Sequence, residues 1–321
     1  AGGGAPMIST PAVASAPSIT PPASVNLVNA GGIFLLYGSV ELFYYVKRKQ
    51  GTRFKYNHKF PSENPSDVFW FKSQNIDNFL RSFFISIPLW TLVQVIFLHA
   101  FASGYVPWLS WSDNWLWLVV LTLLCPAIHE VHFFLIHRLI HVPILYKWIH
   151  SVHHNSVNPS PWSSLSMHPV EGFLYHAVAL WHLVIPSNPI VAMFQLHLAG
   201  FGAVNGHIGF DKLELTEDRT LDSHAYAHYL HHKYFEVNYS DGLMPFDRWF
   251  GTWHDGTKVG DALMQARFEK KKARLNCIAH LLSQVPYDKV PHPQVVLPKR
   301  IHNPNYIRGP VPKDMFVPAL Y

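Results

Sequence analysis

Two stretches of this 321-residue chain, 82–105 and 115–136, are so nearly free of charge that they suit a membrane-spanning helix better than any soluble element. In hydrocarbon no water serves the backbone, so a crossing segment must satisfy its own hydrogen bonds, and a helix does so over about 20 residues. A third apolar run, 30–46, carries one acid, Glu41, and stops at Lys47, Arg48 and Lys49. Two further arms, 173–185 and 190–205, flank the turn signal Pro186, Ser187, Asn188 and Pro189. The first of these arms is too short to cross, so a partial or tilted hairpin is expected. Charged residues make up 14% of the chain, against roughly 25% in soluble proteins. Trp108 and Trp111 between the second and third runs suit an interfacial belt.

Residues 1–29, rich in Ala, Pro, Ser and Gly and without a basic n-region, are expected to be a disordered leader and no secretory signal. The cations Lys47, Arg48, Lys49, Arg53, Lys55 and Lys59 mark the segment after the first span as cytoplasmic and as a juxtamembrane anchor. Counting spans from there puts 137–169 and everything after 206 on the same side of a multi-pass protein of the cell inner membrane or endoplasmic reticulum. The net charge of +5 comes from short basic runs without interleaved stacking aromatics, so a nucleic-acid partner is not expected. Two cysteines give no disulfide framework.

Of 22 histidines, 17 lie between His129 and His254, a density that core packing does not call for. They include three boxes: His137 and His141 (H-x-x-x-H), His150, His153 and His154 (H-x-x-H-H), and His228, His231 and His232 (H-x-x-H-H). Residues i and i+4 share a helix face, and each H-x-x-H-H box is expected to aim its imidazoles at one point. Eight imidazoles exceed the four ligands of a tetrahedral zinc, so two metals are implied. Imidazole suits iron, copper, zinc or nickel alike. His129-Glu130-Val131-His132 is no H-E-x-x-H protease site, because the second histidine position holds Phe133. A haem needs only two axial ligands, and a metal transporter would string histidines through the bilayer, whereas these gather at one face.

The boxes resemble those of the fatty acid hydroxylase and sterol desaturase superfamily from about Glu130 to Thr252. His168-Pro169-Val170-Glu171-Gly172, Asn205-Gly206-His207, Asn238-Tyr239 and Phe246-Asp247-Arg248-Trp249-Phe250-Gly251-Thr252 add to the likeness. The resemblance implies an all-α fold, an integral-membrane bundle of about four transmembrane helices under a cytosolic helical cap with a dinuclear histidine site. The domain is expected to span 30–255, followed by a basic cytosolic extension, 256–321. The resemblance further implies two ferrous ions, O2, and a lipid that is hydroxylated, with desaturation as the alternative and a zinc- or haem-binding membrane protein as the different-class reading. Two electrons must come from outside, since the chain has no G-x-G-x-x-G fingerprint or iron–sulfur cysteine set. A ferredoxin, or a b-type cytochrome with its reductase, is the expected donor.

His207 is the first candidate for a ninth ligand, because the family often has a histidine upstream of the third box. His224, four residues before His228, and His168 are the others. Glu130 occupies a position where relatives often carry an acid, about 20° from His137 around a helix, and is expected to support a ligand imidazole. His176, His182 and His197 are read as packing residues of the hairpin and His254 as a surface residue. A lipid groove is expected along Phe173, Leu174, Leu180, Trp181, Met193 and Phe194, narrowed by tryptophan at Ala177 or Ala203, with a headgroup among Asn155, Ser156 and Asn158.

Overall fold

The computed structural model describes residues 22–283. The apolar runs become long helices. Helix α1 (Pro22–Val40) continues through a π-helical turn, Glu41–Val46, to give a span of 25 residues. Helix α2 (Gln74–Arg81) runs through a second π-turn, Ser82–Ser86, into α3 (Ile87–Ala102), together 29 residues. Helix α4 (Trp111–Ile140) has 30 residues. Each span is longer than its apolar run, and the helix at Pro22 takes in the last eight residues of the expected leader; 1–21 and 284–321 lie outside the described residues. Among the described residues these three helices are long and apolar enough to cross a membrane.

The expected hairpin is built from α7 (Pro169–His176), a 3-10 segment Ala177–Leu183, and α8 (Pro189–Gly202). The 14 residues of α8 reach about 21 Å, short of the roughly 30 Å hydrocarbon layer. Asn188 starts α8 by accepting the Ile190 N–H at 2.9 Å. Short helices α5 (Pro143–Leu145) and α6 (Ser151–His154) follow α4, and α9 (Val204–His207) follows α8. Helices α10 (Tyr226–Tyr234), α11 (Phe246–Trp249) and α12 (Lys258–Ser283) complete the chain described. The departure from an all-helical reading is one antiparallel hairpin, β1 (Lys212–Thr216) with β2 (Arg219–Asp222), in register at Leu213 and Leu221.

Packing sorts the helix faces. Ile33, Tyr37, Trp90, Phe97 and Leu196 form the core of the bundle, while Leu27, Leu35, Phe84, Leu123 and Leu124 point outward as a lipid-facing belt. Asn29 donates to Gln94 at 3.0 Å and to Thr91 at 3.2 Å, a polar clamp between α1 and α3 where no water competes. The basic loop after α1 is only partly an anchor for headgroups. Lys49 donates to the carbonyls of Glu214 and Leu215, and Lys55 is buried beside Asn158 among the rings of Tyr45, Phe60 and Phe210.

Gly200 is the tightest helix contact. Its carbonyl accepts the Tyr37 hydroxyl at 2.6 Å, and a Cβ at this position would overlap the Trp90 ring. Gly200→Val should therefore overpack the α3–α8 contact and cost about 1–3 kcal/mol. The expected readout is a lower unfolding temperature in detergent; an unchanged transition would mean that Trp90 moves freely.

Candidate metal centre

Short-range helix geometry sets the site. His137 lies in the last turn of α4 and His141 caps it. The π-turn Tyr146–His150 and α6 carry box two, α10 carries box three, and His207 ends α9. The imidazole nitrogens form two groups: His137, His141, His150, His154 and His231 in one, His153, His207, His228 and His232 in the other. Within each group the donor atoms lie within 4.8 Å of one another.

This arrangement corrects the expectation that each H-x-x-H-H box aims at one point. A helix turns about 100° per residue, so i and i+4 are about 40° apart while i+3 and i+4 diverge by about 100°. His150 and His154 accordingly share the first group and His153 crosses to the second. Box three does the converse, with His228 and His232 in the second group and His231 in the first.

The hydrogen bonds decide what these groups can hold. A carbonyl oxygen only accepts, so an imidazole nitrogen facing one must carry the proton. Nδ1 of His137 donates to Tyr239 O at 2.7 Å, His153 to Ser166 O at 3.2 Å, His207 to Ala203 O at 2.9 Å and His231 to Val237 O at 2.6 Å. His150 Nδ1 faces Glu171 Oε1 at 2.7 Å. In the neutral rings that face a carbonyl each Nε2 is then a bare lone pair. Yet His207 Nε2 faces His153 Nε2 at 3.2 Å, a contact that does not work as a hydrogen bond between such tautomers and that a cation resolves. His137 Nε2, equally bare, faces His150 Nε2 at 3.1 Å. The spacings of 3.0–3.2 Å also fall between the roughly 2.9 Å and 3.3 Å expected for right-angle and tetrahedral ligands about an ion some 2.0–2.1 Å away. The donor set thus fits a pair of metal ions.

Backbone loops aim these rings. Phe235, in a left-handed conformation (φ 65°), ends α10 and turns the chain so that Val237 O returns to His231. Asn238 ties this loop to Ala227 O and to both the N–H and carbonyl of His254. Asp247 accepts the N–H of Tyr239 and of Ser240, both at 2.9 Å, and the Thr252 hydroxyl at 2.5 Å. The residues that the resemblance picked out around 238–252 are therefore the scaffold behind His137 and His231.

Other candidates fall elsewhere. Glu130 does not reach His137, whose Nδ1 Tyr239 already occupies; its carboxylate faces the N–H groups of Gly242 and Leu243 at 3.3 and 3.4 Å. Glu171 supports a ring instead, and its place four residues before Tyr175 on α7 gave no local sign of it. His168 starts α7 by accepting the Val170 N–H, and His224 belongs to neither histidine group. His254 is buried against Asp261, not on the surface.

A cavity of about 570 Å³ borders both groups, reached by His137, His150, His153, His207 and His228 and walled by Phe133, Ile136, Tyr175, Leu198 and Ala203. It runs deeper toward α4 than the expected groove. Ala177, Leu180 and Trp181 line a separate depression of about 320 Å³. Ser156 and Asn158 are engaged with Asn78, Lys55 and the Lys59 carbonyl, so they are not a headgroup site.

Burial pushes His150, His153, His154, His228, His231 and His232 well below the ordinary histidine range, and His207 down to about 4. In the unfolded chain the same rings protonate near ~6.5. Between these values the unfolded state binds more protons, so stability is complete above ~6.5 and declines as pH falls. Unfolding temperatures of metal-free protein in detergent should drop steadily from pH 7 to 5; a flat profile would contradict neutral, buried rings.

Residues 122–252 match the family model for fatty acid hydroxylases. The chain is 28% identical over 188 residues to a Delta(7)-sterol 5(6)-desaturase of Gibberella zeae, covering 57% of each protein. A Delta(7)-sterol 5(6)-desaturase of Aspergillus fumigatus is 33% identical over 165 residues, covering 44% of this chain and 51% of the relative. The chain thus spans about half the length of these relatives. A 53-residue stretch, 16% of the chain, is 58% identical to ADP-polyphosphate phosphotransferase 2 of Rhizobium meliloti, of which it covers 17%. No solved structure matches. The family match lies over all three boxes, so residues 122–252 of this membrane protein, with the paired histidine groups described above, are similar to the fatty acid hydroxylase family and to sterol desaturases.

Proposed function

We propose that the chain is a histidine-ligated di-iron oxygenase that hydroxylates a membrane lipid. The observation that carries this reading is the pair of bare Nε2 lone pairs, of His153 and His207, held face to face beside an apolar cavity. His137, His141, His150, His154 and His231 would hold one ion, and His153, His207, His228 and His232 the other. Five donors in the first group exceed the four of a structural zinc site, which favours iron among the metals that imidazole suits. When bound, two ferrous ions supply oxygen activation and removal of hydrogen from an unactivated carbon.

The protein's own residues bind and orient. Phe133, Ile136, Leu198 and Ala203 offer apolar surface to a lipid body, and Glu130 and Asp241 face the same cavity as polar contacts. Glu171 and the carbonyls of Tyr239, Val237, Ser166 and Ala203 keep the imidazoles aimed. A catalytic unit reaching to about 255 takes in all of these parts, and we place its metal face in the cytoplasm, where the basic loop 47–59 lies. A ferredoxin, or a b-type cytochrome with its reductase, would supply electrons. Desaturation is the second reading, favoured by the activity named for the fungal relatives, which also makes a sterol a candidate substrate.

Metal analysis of protein loaded anaerobically with ferrous iron should give two ions per chain, falling in His207→Ala. One ion or fewer in the wild type would count against a dinuclear centre. Ala203→Trp should fill the cavity and abolish turnover of the lipid, identified by mass spectrometry of extracts from cells with and without the gene, while metal content stays at the wild-type level. Wild-type turnover in that variant would place the substrate elsewhere.

A further inference from the structure

Around α11, beyond the third box, polarity and exposure are inverted. In a turn facing water the carboxylate would point outward and the large rings inward. Here Asp247 is 1% exposed and turned in toward Tyr239, Ser240 and Thr252, while Trp249 is 63% and Phe250 62% exposed. Leu243, three residues before α11, is 61% exposed. A single exposed apolar residue needs no explanation, but a patch outside the spans calls for an apolar neighbour.

The place of the patch says which neighbour. Phe134 of α4 stacks on Phe246 at 4.7 Å and on Phe250 at 5.3 Å, so the patch is fixed to one level of a helix long enough to cross the bilayer. Phe134 stands 19 residues beyond Trp115, about 28 Å along the helix, which is close to the roughly 30 Å of hydrocarbon between the two interfaces. Val131 and Leu135, beside Phe134 on α4, are exposed apolar residues of the same span. The patch therefore continues a lipid-facing surface. Its composition suits that depth, since tryptophan and a cation both favour the headgroup level, and exposed Arg248 sits over the Trp253 ring at 5.0 Å.

We infer that the segment 243–250 is seated in the headgroup region of the bilayer, with the side chains of Leu243, Trp249 and Phe250 immersed beside α4. The partner is the lipid surface itself. Leu243 carries the patch to the cavity: Asp241 and Leu243 both line it and both are exposed, so the cavity reaches the surface there. The N–H groups of Gly242 and Leu243 face the Glu130 carboxylate at 3.3 and 3.4 Å, which ties this rim to α4 as well. Seating the segment among headgroups lets a lipid pass the rim without crossing water. A second copy of the chain is the rival occupant. Continuity with Val131 and Leu135 favours lipid, which already covers those residues of the span. The inference does not depend on the reaction assigned to the histidine groups.

The test uses the full chain in phosphatidylcholine nanodiscs, with Cys125→Ser and Cys277→Ser as background and one new cysteine carrying the environment-sensitive fluorophore NBD. Trp249→Cys and Leu243→Cys report the patch, and Glu217→Cys, exposed between β1 and β2, reports water. Iodide should quench the label in the patch roughly threefold less than at Glu217, and a lipid bearing a nitroxide near its headgroup should quench it roughly twofold more. Two patch positions keep the result readable if one variant does not fold. Iodide quenching equal to that at Glu217 would overturn the proposal by placing the segment in water. Protection from iodide without quenching by the nitroxide lipid would overturn it too, because a second copy or another protein would then cover the patch. Neither signal needs metal or turnover, so failure here is separate from failure of the oxygenase reading, which metal content and turnover decide.

Discussion

Everything at the centre depends on one interaction, the imidazole N–H donated to a fixed oxygen. It selects the tautomer, and the tautomer selects which nitrogen is left bare. Had Nδ1 of His207 faced solvent, its ring could have turned to share a proton with His153, and the pair would be an ordinary hydrogen bond. Because Ala203 O holds that proton, the two Nε2 atoms stand 3.2 Å apart with nothing between them to share. Leaving such lone pairs buried and unmatched is costly. The cost is tolerable in a protein that fills the gap with a cation, and the stabilisation a bound metal adds is then linked to folding itself.

The bilayer fixes where this happens. With 30 residues, α4 extends about 45 Å, some 15 Å more than the hydrocarbon. If Trp111, Trp115 and Trp117 mark one interface, as their exposure in a belt suggests, the surplus carries His137 and His141 to the other. The short hairpin α7–α8 does not reach across, and its far end instead delivers His207 to the same level. A cavity between α4 and α8 then opens beside the ligands.

Local chemistry was readable in the sequence and long-range chemistry was not. The boxes, the apolar runs and the hairpin turn are all set within a few residues, so spacing alone finds them. Glu171 meets His150 across 21 positions and Tyr239 meets His137 across 102, and no periodicity announces either pairing. Glu130 illustrates the difference: its helical angle to His137 was right, yet a backbone carbonyl from a distant loop had already taken the nitrogen it was meant to serve. Asn158 was misjudged for the same reason, because Lys55 reaches it only once the first loop has folded under the rings of Tyr45 and Phe210. The division of each H-x-x-H-H box between two groups, by contrast, follows from helix angles and could have been drawn from sequence.

That division also explains why the site has two distinct faces. In such a box i+3 lies about 60° from i and about 100° from i+4, to one side of the pair, so two such boxes facing each other place ligands around two points rather than one. The rings that bound those points toward α4 and α8 meet the apolar cavity, and those on the far side meet Tyr146, Phe235 and Tyr239. The same four-residue spacing that makes a metal site possible also gives it an inside and an outside.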